Sequence, residues 1–354
     1  MGRQMRGWMG GVRVIVRRSP LQAAVSRRAL LRALASSGGA LALGGCTSLA
    51  APGTRHDASG LSGKPVLLVA TTRKPVNGAR AKPWFGTERA TMSVARAKMV
   101  PPNDGRFSFA AVGLGDWALE AVEPAPEQLG DLLTQATTGR DALIFVHGYR
   151  QTFEDAALDA ARLSDGIRFR GETMVFSWPS KAGLFDYSYD RESAMWSRDA
   201  FERVLDAVML GRGDGRVHIV AHSMGTMLTL EALRQIHARY GAPAAERIGA
   251  VVFAAPDIDM DVFTSSIQRI GPLARKITVV TSTNDRALAL SQKLAGGITR
   301  VGAAEKERIE RLGLRVIDAS AQGWGIVNHD LFLSNAEVRQ VIRRAIDEHA
   351  RLGA

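Results

Sequence analysis

The chain has 354 residues, 46% hydrophobic and 23% charged, a globular balance with room for one large domain and tails. Its formal charge of +11 suggests nucleic-acid binding, but residues 1–45 carry eight arginines and no acid, and without them only +3 remains. A basic patch for phosphates and a nucleic-acid partner are therefore not expected.

In chain order, residues 1–25 are basic and glycine-rich and are not expected to fold. Ser26-Arg27-Arg28-Ala29-Leu30-Leu31-Arg32 resembles a twin-arginine export signal. The apolar run Ala33–Gly45 has the length of a signal core and is too short to span a bilayer. It ends in Leu43-Gly44-Gly45-Cys46, which resembles a lipobox, with small residues before the only cysteine of the chain. The bland alternative is an uncleaved amphipathic helix with a chance cysteine. The pattern predicts an export signal over 1–45, a lipid on the Cys46 thiol and a Gly/Ala/Ser/Thr-rich tether over 46–63. The protein would then be exported and anchored to a membrane of the cell envelope, facing the periplasm.

A folded domain is predicted over 64–354. Val66–Ala70 and Arg89–Val100 read as strands, with another around Trp117–Leu119, in an order that pattern alone does not give. From Asp141 the rhythm is plainly βα. Strands are predicted at Ala142–Val146, Thr173–Ser177, Val217–Val220, Ile248–Phe253, Ile277–Val280 and Arg315–Ile317. Helices are predicted over Phe153–Ser164, Ser193–Leu210, from Met227 through Ile236, and over Asn335–Arg351. This alternation gives an α/β fold, a mostly parallel central sheet with helices on both faces. Metal-ligand clusters, phosphate loops and dinucleotide fingerprints are not found, so no metal or cofactor is expected.

Within VHIVAHSMGTMLTLEAL, Ser223 stands between a β-branched strand and an amphipathic helix. A serine at such a turn, with small residues two before (Ala221) and two after (Gly225), has the form of a nucleophile elbow. The strand and helix cross closely there, and the helix N-terminus favours developing negative charge. An ordinary βα turn with a serine N-cap is the competing account.

A serine hydroxyl is a weak nucleophile, so a base and an orienting acid are needed. In the order serine, acid, histidine, only His329 and His349 follow the candidate acids. His329 lies in a loop between the last strand and the last helix and is the predicted base; His349 reads as a surface residue of that helix. Asp257 and Asp285 each follow a strand after the nucleophile and are both candidate acids. After Ala142–Val146, the turn His147-Gly148-Tyr149 is glycine-bearing, which lets backbone approach a substrate. The N–H groups of Tyr149 and Met224, with Gly148 between strand and donor, are the predicted oxyanion hole. His147 is expected to fix this loop by a hydrogen bond. Pro179–Asp199, rich in aromatics and charges, is expected either to wall a pocket or simply to pack under a surface loop.

The set IFVHGY, FSWPS, YDRESAMWSRDA, VAHSMG, FAAPDID, STNDRAL and NHDLF resembles an uncharacterised bacterial branch of the α/β-hydrolase superfamily. The resemblance runs from about Lys64 to the C-terminus and departs from the commoner glycine at Ala221. It implies a Ser223–Asp285–His329 triad, because most members of the superfamily place the acid after the second strand beyond the nucleophile. A minority place it one strand earlier, which keeps Asp257 open. The implied activity is serine hydrolysis of acyl bonds, most simply of a carboxylic ester on a small-molecule or lipid-like substrate. A thioesterase, amidase or acyltransferase would use the same groups. A non-catalytic envelope scaffold on the same fold is the reading from a different class.

Overall fold

Alternate residues of the strand Ala142–Val146 face two different cores. Ala142, Ile144 and Val146 belong to one and Leu143 and Phe145 to the other. A strand apolar on both faces belongs inside a sheet covered on both sides. The computed structural model describes residues 66–76, 81–102, 116–183, 185–282, 299–304, 306–320, 333 and 335–351. Within these, nine strands form one sheet: β1 (Val66–Pro75), β2 (Phe85–Val100), β3 (Ala118–Pro124), β4 (Ala142–Val146), β5 (Glu172–Ser177), β6 (Val217–His222), β7 (Ile248–Ala254), β8 (Ile277–Thr281) and β9 (Arg315–Asp318). Their order is β3-β2-β1-β5-β4-β6-β7-β8-β9. Strands β1, β2 and β3 pair antiparallel, and every pairing from β1–β5 onward is parallel. The sequence-predicted α/β sheet is thus the observed one. The chain order of its antiparallel edge, which pattern left open, is set by the β1–β2 and β2–β3 ladders.

The described helices are α1 (Leu129–Ala136), α2 (Phe153–Gly166), α3 (Tyr187–Leu210), α4 (Gly225–Tyr240), α5 (Ala244–Arg247), α6 (Met260–Ile267), α7 (Lys306–Glu310) and α8 (Ala336–Arg351). Leu132 of α1, Phe201 of α3, Leu228 of α4 and Phe263 of α6 pack on one face of the sheet, with Phe176 and Phe253. Phe153 and Ala157 of α2 and Val338 and Ile342 of α8 pack on the other, with Phe145 and Val175. The start of α2 is fixed by a capping box between Thr152 and Asp155, the arrangement a Thr-x-x-Asp spacing permits.

Several predicted bounds shift: β1 runs on to Pro75 and β3 to Pro124. The helix predicted from Ser193 begins at Tyr187. Its first turns bury Asp190, Ser193 and Ser197, polar residues that make an inward face look like a loop. Strand β2 is also longer than its predicted core and starts at Phe85. The export signal, Cys46 and the tether lie outside the described residues.

Candidate active site

At the C-terminal end of β6 the chain turns through Ser223, whose φ is +50°, and enters α4 at Gly225. A left-handed residue with a side chain costs about 1–2 kcal/mol and persists only where its surroundings enforce it. Here they do. The Ser223 N–H donates to the Ala254 carbonyl at 2.9 Å. The Ser223 carbonyl accepts from the N–H groups of Thr226 at 3.1 Å and Asp257 at 3.2 Å, and from Thr226 Oγ1 at 2.5 Å. The crowding expected at the elbow is present too. A methyl group at Gly225 would sit 2.3 Å from the His147 carbonyl oxygen. Among the described residues the Met224 N–H, at the mouth of α4, donates to no partner.

The loop after β4 lies directly against this turn. A methyl group at Gly148 would sit 2.8 Å from Ser223 Cβ and 2.7 Å from His222 Nδ1, so only glycine fits. His147 is fully buried and stacked on Trp178, with ring centroids 4.7 Å apart. Its Nδ1 lies 2.8 Å from the Gly148 carbonyl, and its Nε2 accepts from the Trp178 N–H at 3.1 Å. These partners assign the proton to Nδ1. Burial and the neighbouring Arg73 cation hold the ring neutral, with a pKa of about 3. His147 therefore fixes the loop and transfers no proton near neutral pH. Because a trans peptide points C=O and N–H in opposite directions, anchoring the Gly148 carbonyl also sets the direction of the Tyr149 N–H. The Tyr149 hydroxyl donates to the Gly183 carbonyl at 2.9 Å, joining this loop to the one after β5.

Two buried charges hold these loops: Arg73, not expected here from the sequence, and Asp190 of the Pro179–Asp199 stretch. Arg73, 1% exposed, donates from Nε to Ser177 Oγ at 2.8 Å and from its terminal nitrogens to the carbonyls of Gly86 and Ser180, each 3.1 Å, and Gln151 at 2.7 Å. Burial lowers its pKa to about 10, opposed by Asp190, so it stays a cation at neutral pH. Asp190 accepts from Ser180 Oγ at 2.5 Å, the Lys181 N–H at 2.8 Å and the Arg150 N–H at 3.2 Å. The sequence signal was an arginine following the strand run VLLVATT.

Asp257, the alternative acid, is buried beside the elbow. Its Oδ2 accepts from the Tyr187 hydroxyl at 3.0 Å, and its Oδ1 lies 3.1 Å from Nε of the buried Arg300. Arg300 also donates to the Tyr187 hydroxyl at 3.2 Å. Asp285 and His329 lie outside the described residues. Of the Pro179–Asp199 stretch, Tyr187 packs edge-on against Tyr149 at 5.5 Å, whereas Phe185 is 95% exposed. No group of three or more His, Cys, Asp or Glu able to hold a metal occurs among the described residues.

A family model described as "Alpha/beta hydrolase of unknown function (DUF900)" matches residues 125–345, well over half the chain. The chain belongs to this family. An uncharacterized protein of Nostoc sp. is 33% identical to this DUF900 member over 140 residues, which are 32% of the chain and 36% of the relative. The chain thus spans about a third of that relative's length. Among solved structures, a predicted CIB-like hydrolase from Thermoplasma acidophilum aligns over 72% of the chain and 92% of its own, with 16% identity and a TM-score of 0.34. The carboxylesterase CesB from Bacillus subtilis aligns over 74% and 89%, with 12% identity and a TM-score of 0.36. The family and the sheet give the chain the α/β-hydrolase fold.

Proposed function

We propose that this DUF900 protein is a serine esterase, with Ser223 as nucleophile, His329 as base and Asp285 as the acid that orients it. The observation that carries the reading is the left-handed Ser223 with Gly148 pressed against it and the Met224 N–H beside it. In this reading Ser223 Oγ attacks the acyl carbon while His329 takes its proton. The N–H groups of Met224 and Tyr149 stabilise the resulting oxyanion. The intermediate collapses, the alcohol leaves with the proton from His329, and the acyl group stays on Ser223. Water, deprotonated by His329, then attacks the acyl-enzyme, and the acid departs as Ser223 regains its proton. The engagement of the Asp257 carboxylate by Tyr187 and Arg300 supports Asp285 as the acid. The substrate is a small-molecule or lipid-like ester, met at the envelope by a protein exported and lipid-anchored through Cys46.

The test is hydrolysis of p-nitrophenyl esters of increasing acyl length by wild type and Ser223→Ala. Turnover by wild type that falls by several orders of magnitude in the variant supports the reading. A folded wild type that cleaves none of the esters favours the non-catalytic scaffold.

A further inference from the structure

The edge of the sheet opposite the elbow carries a concavity unrelated to the ester chemistry. It has a volume of about 500 Å³ and lies where β4 and β5 begin. Four arginines line it from three separate stretches: Arg140 before β4, Arg168 and Arg170 before β5, and Arg343 on α8. Asp141 and Asp347 are the carboxylates in its wall. The overall charge gave no sign of this site, because folding assembles it from stretches far apart in sequence.

The carboxylates near the site are already engaged. Arg140 is paired with Glu172 at 3.0 Å, and Arg343 lies 3.6 Å from Asp347. Asp141 turns inward: its Oδ1 accepts from the Arg216 N–H at 2.8 Å, and its Oδ2 lies 3.1 Å from His218 Nε2. The Ala250 N–H donates to His218 Nδ1 at 2.9 Å, which leaves the proton on Nε2 and makes His218 the donor to Asp141. Arg168 and Arg170 have no carboxylate partner among the described residues. Phe169 between them is buried, edge-on to His218 at 6.1 Å. Arg168 and Arg170, on either side of Phe169, are exposed and line the concavity.

Each guanidinium offers five donors in a planar fork, and two uncompensated forks suit an anion with several oxygens. The oxygens of a phosphoryl group are set tetrahedrally, within reach of two forks from different sides; the two of a carboxylate lie in one plane. The concavity exceeds a phosphate ion in size, and Ile167 and Ile346 give it an apolar wall for an organic substituent. We propose that this pocket binds a phosphate monoester or diester, held by Arg168 and Arg170. The source is either a soluble phosphate ester or a phospholipid headgroup.

The full-length protein is compared with Arg168→Gln/Arg170→Gln and with Arg203→Gln/Arg269→Gln, a control that removes the same charge from exposed positions elsewhere. One arm titrates glycerol 1-phosphate by calorimetry; the other measures, in a Cys46→Ser background that carries no acyl anchor, the gain in flotation when phosphatidylglycerol is added to phosphatidylcholine vesicles. Each charge-assisted hydrogen bond contributes enough that losing both forks should weaken binding at least tenfold. The expected result is binding in one arm, weakened at least tenfold by the first pair and less than twofold by the control. Binding in the calorimetric arm identifies a soluble ester, and binding to vesicles alone identifies a headgroup. No binding in either arm overturns the proposal. So does an equal loss in both variants, which marks net charge alone, or no loss in the first.

Discussion

Gly148 and Ser223 lie so close at the C-terminal end of the sheet that a methyl group on Gly148 would be 2.8 Å from Ser223 Cβ. The nucleophile and the loop that would receive the oxyanion are thus set by one steric constraint. Gly148→Ala should push the loop off the elbow. Loss of an oxyanion donor lowers kcat by roughly a hundredfold to a thousandfold. Overpacking costs about 1–3 kcal/mol of stability. Ester turnover and a thermal melt of the same sample measure both, and an alanine variant with unchanged kcat contradicts the constraint.

The pH dependence of stability should carry the signature of His147. Folding lowers its pKa from 6.5 to about 3, so between those values the unfolded chain binds a proton that the folded one refuses. Stability is therefore lost as pH falls through that window. Asp159 acts in the opposite sense. Burial raises its pKa from 3.8 to about 6, so its contribution grows as pH falls over that range. His147→Asn keeps Asp159 and removes the imidazole. The wild-type advantage in Tm over this variant should shrink from pH 7 to pH 4; a constant difference refutes the assignment.

The two candidate acids separate by what each mutation damages. Asp285→Asn should lower turnover by about four orders of magnitude, as loss of the orienting acid does in a serine triad. Asp257→Asn should lower Tm, because it strips the buried Arg300 of its carboxylate, at a cost of about 3–5 kcal/mol for a broken buried pair. Its turnover should stay within tenfold of wild type below its melting range. The reverse pattern moves the acid one strand earlier.

Much of this was legible in the sequence because the signals were local. Periodicity and β-branched runs located β4 and β6 and the helices that follow them. Gly225 and Ser223 announced the elbow because the turn has to be tight wherever it occurs. Arg73 and Asp190 were not legible as partners, since they lie far apart in the chain and meet only through Ser177, Ser180 and the loop after β4. The early start of α3 was hidden for a related reason, because its buried face is built from serines and an aspartate whose partners Arg89, Thr72 and Ser180 lie outside the helix.

Cys46→Ser tests the anchor. The wild type should be recovered from membranes as a chain beginning at Cys46 and carrying acyl groups. The variant should keep the precursor mass and gain none. Wild-type protein that retains residues 1–45 and has no lipid on Cys46 refutes export as a lipoprotein.

The most direct measurement for the account as a whole is labelling with a serine-directed fluorophosphonate, with the adduct located by peptide mass spectrometry. The account predicts a single stoichiometric adduct on the peptide containing Ser223, absent from Ser223→Ala, with both proteins sharing the same melt. Undiminished labelling of Ser223→Ala, or an adduct elsewhere on the wild type, would contradict it.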